Sequence, residues 1–199
     1  HTAVQIQRKT RLYRQIHHRI PQPMSNQPQH TIYTIGHSTR SMEEFIAMLQ
    51  SFNIKILVDI RSLPGSRKFP QFNKENLQIT LPEAGIEYIH LADLGGRRKV
   101  NKNSRNIRWH KDAFKSYADY METEPFSQAI QNLENIATTQ PTAYMCSEAV
   151  WWRCHRSMVS DYLKAKGWNV LHIMAIGKVQ EHKYTQPARV VGDTVYYFD

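Results

Sequence analysis

No apolar run in this 199-residue chain approaches the roughly 20 residues that a helical membrane span requires, so a soluble protein is expected. Cysteine is scarce, with only Cys146 and Cys154. A disulfide-stapled fold needs more cysteines in a smaller chain, so this pair reads as reduced thiols in a reducing compartment, which points to the cytoplasm. The Gly-x-Gly-x-x-Gly fingerprint is missing, which argues against a dinucleotide cofactor, and no cofactor is assigned. Internal repeats and low-complexity tracts are missing too.

Acid is absent from residues 1–30, which hold Arg8, Lys9, Arg11, Arg14 and Arg19. Without these five, 21 basic residues face 17 acidic ones, so the overall +9 falls to +4 for the remainder. A protein coating nucleic acid through charge alone usually shows a stronger field. The leader lacks the apolar core of a secretory signal, and its Arg-rich composition resembles a transit peptide. Met24 offers a plainer origin, with translation starting there and residues 1–23 an upstream addition. Residues 1–30 are therefore read as a basic leader without fixed structure, and 31–199 as one domain.

From residue 31 the chain alternates β-rich runs with helical periodicity. Strands are expected at Thr31–Ile35, Lys55–Ile60, Ile86–Leu91, Thr142–Cys146 and Asn169–Met174. Between them, Met42, Phe45, Ile46 and Leu49 share a helical face after a Ser41/Glu44 capping box. Phe126, Ala129, Ile130 and Leu133 mark another such face, and Met158, Val159, Tyr162 and Leu163 a third. Gly192-Asp193 between β-rich pairs predicts a hairpin in the tail. The fold class is α/β: a single Rossmann-like, three-layer domain with a mostly parallel sheet and a C-terminal β-hairpin tail.

In such sheets ligands bind outside the carboxyl ends of the strands. Those ends collect His37, Ser38, Asp59, Arg61, Asp93, Arg97, Cys146 and Glu148, whereas the opposite loops hold turn residues. The densest segment runs from Cys146 to Arg156. Cys154 and His155 are expected to open the helix that follows, turning Cys154 toward Cys146. A thiol near Arg or a helix N-terminus is a usable nucleophile, while two small buried hydrophobes would have the same spacing. Zinc is a competing use, but the spacing fits no common pattern, and no metal is assigned. Arg153, His155 and Arg156 crowd a helix N-terminus that favours anions, so either Glu148 or a bound phosphate or carboxylate must offset them. Arg61, Arg67 and Arg97 favour the bound anion. Trp151 and Trp152 either cover a core edge or stack on a base.

Several segments together resemble the family called domain of unknown function four-eight-eight. They are Thr34-Ile35-Gly36-His37-Ser38, Val58-Asp59-Ile60-Arg61-Ser62 with Pro64 and Ser66, and Leu94-Gly95-Gly96-Arg97. The remainder are Cys146-Ser147-Glu148 through Cys154-His155-Arg156, and Tyr184 to Arg189. The resemblance spans about residues 31–192 and implies an α/β fold without assigning an activity. His182-Lys183-Tyr184 stands where His-Pro-Tyr is expected.

The functional expectation is an enzyme acting on a phosphate-bearing substrate, a nucleotide or a base within nucleic acid. Cys146, Cys154, Glu148, Asp59 and His37 are the catalytic candidates. Ser38, Arg61, Arg67, Arg97, Trp152, His155 and Arg156 are the substrate-binding ones. The alternatives are a non-catalytic nucleic-acid-binding module and a thiol-redox or metal-sensing protein. No membrane partner is expected.

Overall fold

The computed structural model describes residues 29–199, and the expectations for the leader lie largely outside that range. Six strands form the main sheet: β1 (Thr31–Gly36), β2 (Ile56–Asp59), β3 (Glu87–His90), β4 (Thr142–Cys146), β5 (Asn169–Ala175) and β6 (Lys178–Glu181). Their spatial order is β3-β2-β4-β1-β5-β6, and only β6 pairs antiparallel. β7 (Arg189–Val191) and β8 (Thr194–Tyr196) make the expected hairpin, turning at Gly192 with φ +63°. The helices are α1 (Met42–Gln50), α2 (Lys74–Glu83), α3 (Asp112–Met121), α4 (Glu124–Ala137) and α5 (Arg156–Ala165). The Ser41 hydroxyl caps α1 by accepting from the Glu44 N–H, and Thr123 caps α4 likewise.

Strand side chains alternate between faces, and each face carries its own core. Ile35, Leu57, Ala143 and Met145 meet Phe45, Met48 and Leu49 of α1 and Leu77 and Leu81 of α2. Ile32, Val58 and Tyr144 meet Tyr117 of α3, Ile130 and Leu133 of α4, and Met158 and Leu163 of α5. The chain thus leaves β1 for one face and leaves the neighbouring β4 for the other. That divergence is the topological switch point, where a crevice opens between carboxyl ends. It falls between Gly36-His37-Ser38 and Cys146-Ser147-Glu148.

β6 was not expected from the sequence. Its four residues, Lys-Val-Gln-Glu, are all exposed, so they carry no buried alternation to mark a strand. Among the described residues, no helix is long and apolar enough to cross a membrane.

Candidate functional site at the strand switch point

The β1–β4 ladder continues past the strand ends. The His37 N–H donates to the Cys146 carbonyl (3.1 Å) and the Ser38 N–H to the Ser147 carbonyl (2.8 Å). Ser38 takes the left-handed conformation, φ +51°, a strained state for a serine that concentrates at functional turns. Beyond this backbone seam the side chains form two hydrogen-bonded groups.

The first group is built on sulfur. Cys146 ends β4 and is buried, and after it the loop tightens into a single 3-10 turn at Trp151–Arg153. Cys154 is extended (φ −138°, ψ 172°), and α5 begins only at Arg156. The expectation that Cys154 lies in the helix is therefore corrected. Its carbonyl accepts from the Ser157 N–H and hydroxyl, closing the turn that leads into α5. The thiol returns to Cys146 with 2.7 Å between the sulfurs, both cysteines being free.

Beside the pair lies Arg156, 1% exposed. One Nη donates to the Thr34 hydroxyl (3.2 Å), the other to the backbone carbonyls of Glu148 (2.9 Å) and Ala149 (3.4 Å). Nε has no partner, and no carboxylate pairs with this cation among the described residues. Glu148 supplies its carbonyl, not its charge. Burying a charge without a counter-charge costs several kcal/mol, on the order of a single domain's whole margin. The nearest groups able to carry negative charge are the two thiols.

The electrostatics of the pair point the same way. Burial pushes the Cys146 thiol up, but the Cys154 S–H, the Arg156 guanidinium and the Glu148 backbone N–H outweigh it and bring Cys146 down to about 7. Cys154 goes well above the ordinary thiol range, first through its bond to Cys146 and then through burial. Of the two thiols, Cys146 is the one favoured to lose its proton, with the Cys154 S–H then donating to it.

The second group is Asp59, Arg61, His37 and Tyr88. Asp59, fully buried at the end of β2, accepts from Arg61 Nε (2.9 Å) and Nη2 (2.7 Å), from the Arg61 backbone N–H (3.1 Å) and from the Tyr88 hydroxyl (2.6 Å). Arg61 also donates to the Phe72 carbonyl and to His37 Nε2 (3.2 Å). His37 Nδ1 donates to the Ser38 carbonyl, and its ring stacks on Phe72 with centroids 4.3 Å apart. Burial lowers His37 to about 4, so it is neutral near pH 7. Asp59 and Arg61 neutralise each other and lock His37.

The other candidates divide by exposure. Glu148 presents an exposed carboxylate beside the sulfur pair. Arg67, Arg97 and Arg153 are exposed, with no carboxylate paired to them among the described residues. Trp152 is 51% exposed, while Trp151 is buried and stacks on His172. His155 donates from Nε2 to the Ile60 carbonyl (2.9 Å), and burial lowers it to about 4. Gly95-Gly96 closes over this corner. A Cβ on Gly95 would stand 2.2 Å from Ser62 Oγ, and one on Gly96 2.6 Å from His155 Nδ1. His155 is thus a packing post, not a free cation.

The helix N-terminus, crowded with basic residues in the sequence, therefore carries one buried charge, Arg156, and one exposed charge, Arg153. Among the described residues no three His, Cys, Asp or Glu side chains are grouped to hold a metal ion. Sequence reasoning missed Tyr88, the carbonyl of Phe72, and a buried polar chain from Thr34 to Asp161. Of these, only Thr34 and His182 stand in the motifs quoted above.

The fold and site define an open, mostly parallel α/β domain with a cysteine pair and a buried arginine at its switch point. The chain belongs to the family described as Domain of unknown function DUF488, whose model matches residues 41–163. That segment contains Asp59 and Arg61, the Gly95-Gly96 pair and the whole Cys146–Arg156 stretch. No curated protein and no solved structure shows a significant match to the chain.

Proposed function

We propose that the protein is an enzyme whose nucleophile is the Cys146 thiolate and whose substrate carries a phosphate-like anion. The observation that carries this reading is the buried Arg156, which has the sulfur pair and no carboxylate to face. A lowered thiol pKa beside a cation is the usual route to a nucleophilic cysteine at neutral pH. Cys154 keeps its proton and is the nearest acid for a leaving group, and Glu148 exchanges protons with solvent at the rim. Arg67, Arg97 and Arg153 hold the anion, because Arg61 is spent on Asp59 and Arg156 on the sulfurs. Trp152 stacks on the base if the substrate is a nucleotide.

Alkylation by iodoacetamide, read at Cys146 by peptide mass across pH, tests the nucleophile. The expected midpoint is near 7. A midpoint at or above the free-cysteine value of about 8.5 removes this role. Inorganic phosphate is expected to protect Cys146 from the reagent, and the double change Arg97→Ala and Arg153→Ala should abolish protection while leaving the midpoint in place. Failure of phosphate to protect the wild type counts against the anionic substrate.

The 2.7 Å sulfur separation favours a second reading, a redox-active dithiol. Hydrogen peroxide would oxidise the Cys146 thiolate to a sulfenic acid with release of hydroxide, and the Cys154 thiol would displace water to close a disulfide. One equivalent should then remove both titratable thiols, reversibly by dithiothreitol, without dimer formation. Accumulation of sulfinic acid on Cys146, with Cys154 still free, would sink this reading.

A further inference from the structure

Arg156 is one end of a buried hydrogen-bond chain that the sulfur chemistry does not itself use. Thr34 Oγ1, which accepts from Arg156 Nη1, lies 2.6 Å from His172 Nδ1. His172 Nε2 lies 2.9 Å from His182 Nδ1, and His182 Nε2 lies 2.8 Å from Asp161 Oδ1. All five residues are essentially buried, none exceeding 1% exposure. The far carboxylate is further held by the Thr185 N–H and hydroxyl and by the Tyr197 hydroxyl.

The proton positions in this chain follow from its ends. A guanidinium only donates, so Thr34 accepts from Arg156 and its own hydrogen is free to go to His172 Nδ1. A carboxylate only accepts, so His182 Nε2 carries a hydrogen. With His172 bare at Nδ1, its hydrogen sits on Nε2 and points to His182 Nδ1. Every donor then meets an acceptor in one direction, from the buried cation to the buried anion. Burial lowers His172 to about 2, and this keeps it a neutral link. Reversing any link would set two hydrogens, or two lone pairs, against each other.

The chain joins four parts of the fold. Thr34 is on β1, Arg156 and Asp161 are on α5, His172 is on β5, and His182 follows β6. Thr185 and Tyr197 belong to the C-terminal segment. Trp151, from the loop that carries Cys154, stacks on His172 at a 3° interplanar angle with centroids 4.6 Å apart, and meets the His182 ring edge-on.

We propose that Thr34, His172, His182 and Asp161 are positioning residues that hold the Arg156 guanidinium against the Cys146–Cys154 pair, making the C-terminal segment part of the site's machinery. The proposal rests on the thiolate reading of Cys146. The groups facing that sulfur are Cys154, Arg156 and Glu148, and of these only Arg156 is a cation. Its place depends on three acceptors, two of them carbonyls on the Glu148–Ala149 loop and the third Thr34. Without Thr34 as acceptor, one Nη is left without a bond on the side away from the loop, and the chain to Asp161 is cut.

The test compares Thr34→Val, which keeps the shape and removes the hydroxyl, with Thr34→Ser, which keeps the hydroxyl. Iodoacetamide labelling of Cys146 is followed across pH, with the thermal midpoint measured in parallel. Thr34→Val is expected to raise the labelling midpoint by about one pH unit and cut the rate at pH 7 roughly fivefold. Thr34→Ser should restore the wild-type profile, and Asp161→Asn should move it in the same direction as Thr34→Val. A Thr34→Val protein that loses thermal stability but labels like the wild type at every pH overturns the positioning role. A wild-type midpoint already at the free-cysteine value would instead remove the thiolate reading beneath it, so the two failures are told apart.

Discussion

Gly36→Ala is expected to cost about 3 kcal/mol of stability and to disable the sulfur site in the same step. A Cβ at position 36 would stand 1.7 Å from the Glu148 carbonyl oxygen, 2.6 Å from its carbon and 3.1 Å from an Arg156 nitrogen. The first two are backbone atoms, which cannot turn aside as a flexible side chain can. Relief requires the Cys146–Glu148 strand end to lift away from β1. That movement strains the Ser38 N–H to Ser147 bond and takes from Arg156 its 2.9 Å acceptor at Glu148. Urea unfolding measures the first effect and Cys146 alkylation the second. Gly65→Ala is the control, since nothing lies within 4 Å of its Cβ, and it should change stability by no more than about 0.5 kcal/mol. Wild-type stability in Gly36→Ala would mean that the two strand ends do not meet as described.

Lowering the pH from 7.5 to 5.5 is expected to destabilise the protein through its buried histidines. Burial holds His37 and His155 down to about 4 and His172 to about 2. In the unfolded chain each returns to about 6.5. These folded values are depressed, so the unfolded state binds protons that the folded state refuses. The stability they represent is complete above about pH 6.5 and drains as pH falls toward 4. One unit below the unfolded value each histidine costs about 1.4 kcal/mol, so three together cost roughly 4 kcal/mol between pH 7.5 and 5.5. Cys146 acts at higher pH, where its depressed value adds stability that is lost from the ordinary thiol range down to about 7. Urea unfolding at the two pH values gives the difference directly. His37→Asn should remove about a third of it, and a curve flat from 7.5 to 5.5 would show that these rings are not buried neutral.

The alternating strands and helices and the hairpin were legible in the sequence because each rests on local signals, whereas the switch point depends on strand order, which only the fold sets. Short β-rich runs, buried on both faces in β2 and β4, mark β1, β2 and β4, hydroxyl caps start α1 and α4, and Gly192 takes the positive φ that its turn requires. The edge strand β6 was illegible because, with both faces wet, any polar residue serves there.

Of the site, the sequence by itself determined which chemistry-bearing residues stand at the carboxyl ends of the strands. His37, Asp59, Cys146 and Glu148 are there because parallel strands joined by crossover helices bring those ends to one edge. Only the tertiary structure decided which of them are engaged and with what. Arg61 turns back on Asp59, two residues away, and His155 donates to the Ile60 carbonyl just past the carboxyl end of β2 instead of facing an anion. Arg156 points inward to sulfur and to Thr34, whose partner His172 comes from a strand 138 positions away in the chain and leads on to His182 in the tail and Asp161 on α5. The physical reason is directional bonding in a buried space. A buried polar group must find a partner within about 3 Å, and sequence spacing carries no record of which group arrives there.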